Sequence, residues 1–327
     1  MIQTEPNYSI VIPVFNSDLW LEELVARIDQ VMDQEVKGEY ELILVNDCSP
    51  NSATWKMVVR IASQYSCVRG FDLLYNVGQF RATLCGLKHA RGDFCIIMDD
   101  DLQHPPEELP KLISAINQSE DLLCVMGSYE SKKHGMLRNL GSMSFHKLLS
   151  WLYDKPSNIQ TSSFRIMRRT LVDAILVYKT AKPQMGPMIV SLTKKIDNVS
   201  VRHEPRQQGQ SGYSLRKLIS SGFDNIINSS TLPLRFFSMI GFLSAGGSIL
   251  LSIYFLFRKL SFGINLEGFT SQILLIIFFG GMTLAGIGLL GEYIARIISE
   301  TTGPEQFRIK EIVGQINDKK DTFQNKE

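Results

Sequence analysis

The stretch Ser9-Ile-Val-Ile-Pro-Val-Phe15, followed by Asn16-Ser17-Asp18 and then by apolar residues at Trp20, Leu21, Leu24, Val25, Ile28, Val31 and Met32, decides the fold. A short continuous apolar run reads as a strand, the polar triplet as a loop holding an N-cap candidate, and the spacing of three and four as an amphipathic helix. The same alternation continues outward. Glu41-Leu-Ile-Leu-Val45 runs into Asn46-Asp47-Cys48-Ser49-Pro50; Phe71 to Leu74 leads to Asn76-Val-Gly78-Gln79 and a helix through about Ala90; Phe94 to Met98 ends in Asp99-Asp100-Asp101. Continuous apolar strands alternating with amphipathic helices imply an α/β, Rossmann-like domain whose mostly parallel sheet is covered on both faces. Polar residues gather where the strands end, and in open α/β sheets that edge binds ligands. Asp47, Asn76 to Gln79 and Asp99 to Gln103 are therefore expected to form one rim.

The remainder of the chain has a different character. Its 327 residues carry 34 Lys and Arg against 33 Asp and Glu, a formal charge of +1, with 44% hydrophobic residues. That balance excludes a disordered polyelectrolyte and argues against nucleic acid as a partner. The average conceals a segregation: Phe236 to Phe257 and Phe269 to Gly291 are apolar runs of about 22 residues, enough for a helix to cross a bilayer. The linker Arg258 to Gly268 is short, so the two read as a transmembrane hairpin; buried helices of a soluble core are the alternative. Gly241/Ala245 and Gly281/Ala285 have the small-residue spacing that suits close helix contact in lipid, and the glycine-rich faces suggest a homo-oligomer. Arg216, Lys217, Arg235 and Arg296 lie outside the linker, which itself holds Arg258 and Lys259, so both termini are expected in the cytoplasm of an inner-membrane protein. Met1 to Asn7 has neither a basic n-region nor an apolar h-region. Five scattered cysteines, Cys48, Cys67, Cys85, Cys95 and Cys124, read as reduced packing thiols.

Three successive carboxylates after a buried strand repel one another. Alternate side chains of an extended segment share a face, so Asp99 and Asp101 are expected to face one way and Asp100 the other. Two hard oxygen ligands with few His or Cys nearby suit Mg²⁺ or Mn²⁺ held jointly with substrate phosphates. The triplet suits a helix start equally well, since Pro105-Pro106-Glu107-Glu108 begins one, and the residues alone leave both readings open. The dinucleotide fingerprint and the phosphate loop are absent, which argues against nicotinamide enzymes and P-loop NTPases. So are H-E-x-x-H and G-x-S-x-G, marks of common zinc peptidases and serine hydrolases.

Val11-Ile-Pro-Val-Phe-Asn16, Val45-Asn-Asp-Cys-Ser49, Asn76-Val-Gly-Gln79 and Asp99-Asp-Asp-Leu-Gln-His-Pro-Pro-Glu107 together resemble the polyprenyl-phosphate glycosyltransferases of glycosyltransferase family two. This group has the GT-A fold and includes dolichyl-phosphate mannose synthase and the bacterial undecaprenyl-phosphate sugar transferases. The resemblance continues through Ser163-Phe-Arg-Ile-Met-Arg168 and Arg206-x-x-Gly209-x-Ser211-x-Tyr213 to the hairpin. It implies a nucleotide-sugar pocket of Pro13, Phe15, Asn16, Asp47, Asn76, Gly78, Gln79 and Asp99, and a metal held by Asp99, Asp101 and Gln103. It also implies Asp99, Asp101, Arg138, Arg165 and Arg206 as catalytic residues, with Arg138, Arg206, Ser211 and Tyr213 at the acceptor phosphate. Four positions depart from the family pattern. Ser17 stands where many members carry Glu, Asp100 where the middle residue is small, Ser163 where many carry Asp, and Gly212 where Lys is common.

The implied reaction is inverting transfer of one sugar, UDP-glucose or UDP-N-acetylhexosamine being the expected donors, to undecaprenyl phosphate for envelope glycan modification. A phosphate monoester with a second pKa near 6 is already nucleophilic at neutral pH, so the missing carboxylate at Ser163 points either to an acceptor that needs no base or to another carboxylate in that role. Lys132, Lys133, Arg138 and Lys147 are candidate anion contacts, Arg being able to grip phosphate bidentately. His104, His134 and His203 read as surface or packing residues. The division expected is a cytoplasmic catalytic domain over 1–210, an interfacial amphipathic helix over 211–232, the hairpin over 233–296 and a cytoplasmic tail over 297–327. Competing readings are a GDP-mannose-dependent enzyme resembling dolichyl-phosphate mannose synthase and a silent membrane scaffold. A processive polysaccharide synthase is disfavoured, because none of Trp20, Trp55 and Trp151 follows Gln-x-x-Arg.

Overall fold

A computed structural model of the chain describes residues 6–129, 159–178, 184–204, 268–302 and 307–314, with isolated positions between 239 and 261. By contacts the chain divides into two units, Met1–Gly212 with Pro304–Glu327, and Tyr213–Gly303.

In the first unit β1 (Tyr8–Val14), α1 (Leu21–Val31), β2 (Tyr40–Asn46), α2 (Ser52–Gln64), β3 (Val68–Leu73), α3 (Gln79–His89) and β4 (Phe94–Ile97) follow the expected alternation. A 3₁₀ turn (Pro106–Glu108), α4 (Leu109–Asn117), β5 (Cys124–Ser128), β6 (Arg165–Arg168), α5 (Arg169–Val177), α6 (Met185–Leu192) and β7 (Ile196–Ser200) complete it, and β8 (Ile309–Val313) joins it from the far end of the chain. Among the described residues one sheet runs in the order β7-β5-β6-β4-β1-β2-β3-β8. β3, β2, β1 and β4 are mutually parallel, with Tyr8 opposite both Tyr40 and Phe94. The strand order reverses at β1, so the crevice beyond its carboxyl end is the place where such folds bind ligands.

β1 is buried throughout, as its apolar run requires. α1 presents Leu21, Leu24, Val25, Ile28 and Val31 to one face of the sheet, while α3 presents Leu84, Cys85 and Leu87 to the other. Burial of the carboxylate Glu41 is balanced by Arg69 at 3.1 Å and by the Ser9 hydroxyl at 2.6 Å, so the strand ends opposite the crevice are closed by a buried ion pair. All five cysteines are free, and burial pushes the thiols of Cys95 and Cys124 up to about 12, consistent with packing.

Two expectations need correction, and one motif segment gains an element that the sequence reading did not assign. α1 begins at Leu21 with Trp20 as its N-cap and no side-chain cap; Asn16, Ser17 and Asp18 make other contacts. The Ser163–Arg168 segment contributes a strand, β6, inserted antiparallel between β4 and β5. The C-terminal region is not wholly a tail: β8 pairs antiparallel with β3, Gly70 opposite Val313 and Asp72 opposite Glu311.

In the second unit α7 spans Phe269–Thr302, running past the predicted end of the second apolar run. It contains the one stretch among the described residues, Phe278–Ala295, long and apolar enough to cross a membrane, and none of that stretch is buried. Most of the first apolar run lies outside the described residues. Those described in it are helical, and most, including Leu243, Leu250 and Phe257, are exposed. The predicted interfacial helix lies outside the described residues.

Candidate active site

The carboxyl ends of β1, β2 and β4 and the loop after β3 enclose a cavity of about 320 Å³ lined by Pro13, Val14, Phe15, Asp47, Asn76, Gly78, Gln79 and Asp100. That volume is at the lower end of the range that small-molecule ligands occupy. The parallel strands deliver these residues to one edge, so loops far apart in sequence share a wall.

Asp47, directly after β2, is buried and clamps the β3–α3 loop. Its Oδ1 accepts the Val77 N–H at 2.7 Å, its Oδ2 the Gly78 N–H at 2.9 Å, and its carbonyl the Asn76 amide at 3.0 Å. Burial raises its pKa and the two backbone bonds oppose that rise. The clamp needs glycine at 78, which sits at φ 85, ψ 154, a region essentially closed to residues with a Cβ.

The acidic triplet divides its labour differently from the alternation argument. Asp100 lines the cavity and ties β4 to the β1–α1 loop: its Oδ2 accepts the Phe15 N–H at 3.0 Å and the Ser17 hydroxyl. Burial, reinforced by Asp99 and Asp101 and opposed by Ser17 and Phe15, pushes Asp100 up to about 6. The two departures at 17 and 100 thus meet in space. Asp99 is not among the residues lining the cavity. Its Oδ1 accepts from Gln79 Nε2, its Oδ2 accepts the Ser163 hydroxyl at 2.6 Å, and His104 Nε2 lies 3.6 Å away. Burial pushes its pKa up, but the bonds from His104 and Ser163 and the charge of Arg165 outweigh burial and hold Asp99 below the usual carboxylate range. Asp101 Oδ1 accepts the Gln103 N–H at 3.1 Å across a turn in which Leu102 has φ 59.

Ser163 reaches Asp99 because β6 pairs Arg165 with Ile97, bringing the residues before β6 alongside those after β4. Its hydroxyl proton is directed at a carboxylate, which removes it as a base. Arg165 is buried behind it; Nε donates to the Ser163 carbonyl at 3.3 Å and Nη1 has no partner among the described residues. Burial lowers its pKa, against the pull of Asp99. It does not line the cavity and acts on it through Asp99.

His104, read as a packing or surface residue, is buried between the rings of Phe164 and Tyr129, at centroid distances of 5.3 and 5.5 Å. It also meets Ser163 at 3.3 Å and the Tyr129 hydroxyl at 3.1 Å, so it packs and supports Asp99 at once. Only its place within Asp99-to-Glu107 hinted at this. Asn16 does not line the cavity; it takes φ 57 and its N–H donates to Ser49 Oγ at 3.0 Å. Val14, which no polar pattern marks, does line it. Arg138, Arg206, Ser211, Tyr213, His134, Lys132, Lys133 and Lys147 lie outside the described residues.

Among the described residues no three His, Cys, Asp or Glu side chains converge as a metal cage. Asp99 and Asp101, hard carboxylates two residues apart with no thiolate beside them, fit Mg²⁺ or Mn²⁺ whose remaining ligands are phosphate oxygens and water.

Residues 9–176 match the family description Glycosyl transferase family 2. Undecaprenyl-phosphate 4-deoxy-4-formamido-L-arabinose transferase of Aeromonas hydrophila is similar at 31% identity over 311 residues, 93% of either chain. The transferase of that name from Pseudomonas fluorescens is 32% identical over 312 residues, covering 93% of this chain and 90% of its own. Among solved structures, glucosyl-3-phosphoglycerate synthase of Mycobacterium tuberculosis with phosphoglyceric acid superposes at a TM-score of 0.50 and 20% identity, covering 68% of this chain and 78% of that one, a likeness of fold.

Proposed function

Because the chain belongs to glycosyl transferase family 2 and is a polyprenyl-phosphate glycosyltransferase, we propose that it moves one sugar from a nucleoside-diphosphate donor to undecaprenyl phosphate at a membrane surface, with inversion. The observation that carries the reading is the cavity at the strand-order reversal, walled by the Asp47 clamp and by Asp100, with ionised Asp99 beside it. The relatives' names put 4-deoxy-4-formamido-L-arabinose first among the sugars to test, ahead of glucose and N-acetylglucosamine.

In this reading Asp47 and Asn76 hold the β3–α3 loop against the nucleoside, and Asp100 holds the Phe15 backbone on the opposite wall. Asp99 and Asp101, with Gln103, would hold the divalent cation, which neutralises charge developing on the diphosphate leaving group. His104, Ser163 and Arg165 keep Asp99 ionised, and Gln79 helps to orient it. The acceptor phosphate needs no protein base, since at neutral pH it is largely a dianion; this fits a Ser163 whose proton points at Asp99. Arg138, Arg206, Ser211 and Tyr213 are proposed to meet that phosphate.

Membrane anchorage by a hairpin, a cytoplasmic catalytic domain and self-association are part of the same proposal. β8 follows α7 in the chain yet pairs with β3, which precedes it. If the intervening segment crosses a bilayer, it must do so an even number of times, which supports two crossings over one.

The test is to incubate full-length protein with undecaprenyl phosphate and each of UDP-4-deoxy-4-formamido-L-arabinose, UDP-glucose, UDP-N-acetylglucosamine and GDP-mannose, identifying the lipid product by mass spectrometry. One dominant glycosyl phospholipid that disappears with EDTA and in Asp101→Ala is expected. Full transfer by Asp101→Ala would refute the metal role. A protein that binds no nucleotide sugar would be a scaffold instead.

A further inference from the structure

We propose that the last strand, β8, is a positioning element of the nucleotide pocket, acting through a continuous polar relay from Lys310 to the backbone of Asn16. Lys310 Nζ donates to Asp72 Oδ2 at 2.9 Å. The other oxygen of Asp72 accepts Asn46 Nδ2 at 2.6 Å, and Asn46 Oδ1 in turn accepts the Ser49 hydroxyl at 2.6 Å and the Ser49 N–H at 3.3 Å. Ser49 Oγ then accepts the Asn16 N–H at 3.0 Å. Every group in the chain has a defined donor or acceptor role, and the donors point from both ends toward the Asp72 carboxylate, which accepts from Asn46 on one oxygen and from Lys310 on the other.

Its two ends explain its use. At the pocket end Asn16 is left-handed, at φ 57, and follows Phe15, whose own N–H is held by Asp100. The amide of the cavity residue Phe15 and that of Asn16 next to it are thereby fixed from opposite sides, one from the segment after β4 and one through β2 and β3. Asn46, midway, directly precedes the clamp residue Asp47. At the far end the Asp72 side chain is 5% exposed, and Lys310 supplies the opposite charge that stabilises it there. β8 is itself fastened by the Trp55 indole N–H to Glu311 at 3.0 Å and by the Leu74 N–H to the Arg308 carbonyl at 2.8 Å. The strand that follows the proposed membrane helix thus begins with a contact that bears on the geometry of the β1–α1 loop. A relay of this kind transmits position only if its members move together, which is what mutagenesis measures.

The inference rests on the nucleotide-sugar reading. Full-length protein in detergent is titrated with UDP and with GDP by calorimetry, and thermal unfolding is recorded in parallel. Lys310→Met and Ser49→Ala are each expected to weaken binding of the preferred nucleotide about fivefold, about 1 kcal/mol. The double variant is expected to do no worse than either alone, because both break one relay. Lys310→Arg is expected to restore affinity, and Trp55→Phe, which loosens β8 without touching the relay, to lower Tm alone. Unchanged affinity in Lys310→Met with a lowered Tm would make β8 a mere edge cover and overturn the inference while leaving the nucleotide reading intact. Failure of the unsubstituted protein to bind either nucleotide would overturn both.

Discussion

Asp47 tests the pocket most directly, because its two oxygens do one countable thing. Asp47→Ala leaves the Val77 and Gly78 N–H groups without their carboxylate at 2.7 and 2.9 Å. A hydrogen bond to a charged partner contributes about 1.5 kcal/mol at the low end, so the pair amounts to about 3 kcal/mol. Both donors lie in the loop between β3 and α3, not in either element, so the loss falls on loop order and hence on donor binding. A full transfer of 3 kcal/mol to binding is about 150-fold in donor KM; solvent entering the gap reduces this, and about 10- to 100-fold is expected, with kcat changed less than about threefold. Asp47→Asn keeps one acceptor and turns an NH₂ toward the other amide, so it should recover about half of the loss. Direct contact between Asp47 and the nucleoside would give a similar KM rise. Gly78→Ala separates the two, since it leaves the carboxylate in place and meets no atom within 4 Å, yet strains φ 85 by about 1–3 kcal/mol. The assay is steady-state transfer to undecaprenyl phosphate over a range of donor concentrations. A normal donor KM in Gly78→Ala alongside a raised one in Asp47→Ala would refute the clamp argument.

Two further outcomes follow from the rim. Asp100→Ala should raise donor KM about tenfold and Ser17→Ala about threefold, because only the former deprives the Phe15 N–H of its acceptor; the double variant should match Asp100→Ala in the same assay. Arg27 grips Glu107 through two bonds, Nε at 3.0 Å and Nη2 at 2.8 Å, joining α1 to the turn after the acidic triplet. Arg27 holds the Glu107 carboxyl below its ordinary value, so this pair stabilises the fold above the unfolded carboxylate pKa and loses that contribution as pH falls through the folded one. Glu107→Gln should therefore cost about 1 kcal/mol at pH 7 by denaturant unfolding, and the cost should shrink as pH falls below the unfolded carboxylate range; a cost that does not change with pH would exclude the ion pair as its source.

The local code was legible. Strands β1 to β4 are short apolar runs, α1 to α3 carry helical spacing, and right-handed crossovers then leave little choice but a parallel sheet with polar loops on one edge. Of the eight cavity residues, Asp47, Asn76, Gly78 and Gln79 could be named from where those strands end, and Pro13 and Phe15 from the family resemblance. The assignments that failed depend on partners. Strict alternation placed Asp100 away from the ligand, but Leu102 at positive φ shows that the segment is a turn, where period-two facing does not hold. β8 falls within the span expected to be tail; Lys310 and Glu311 interrupt its apolar pattern, as suits an edge strand exposed on one side.

What the sequence by itself determined is therefore the set of elements and the chemistry at their ends, because periodicity and turn chemistry act over a few residues. Only the tertiary structure decided which donor meets which acceptor: Ser163 on Asp99, Ser17 on Asp100, Lys310 on Asp72 across 238 positions. Those pairings exist because closure of the sheet brings distant strand ends together within hydrogen-bonding range. No local pattern encodes that distance.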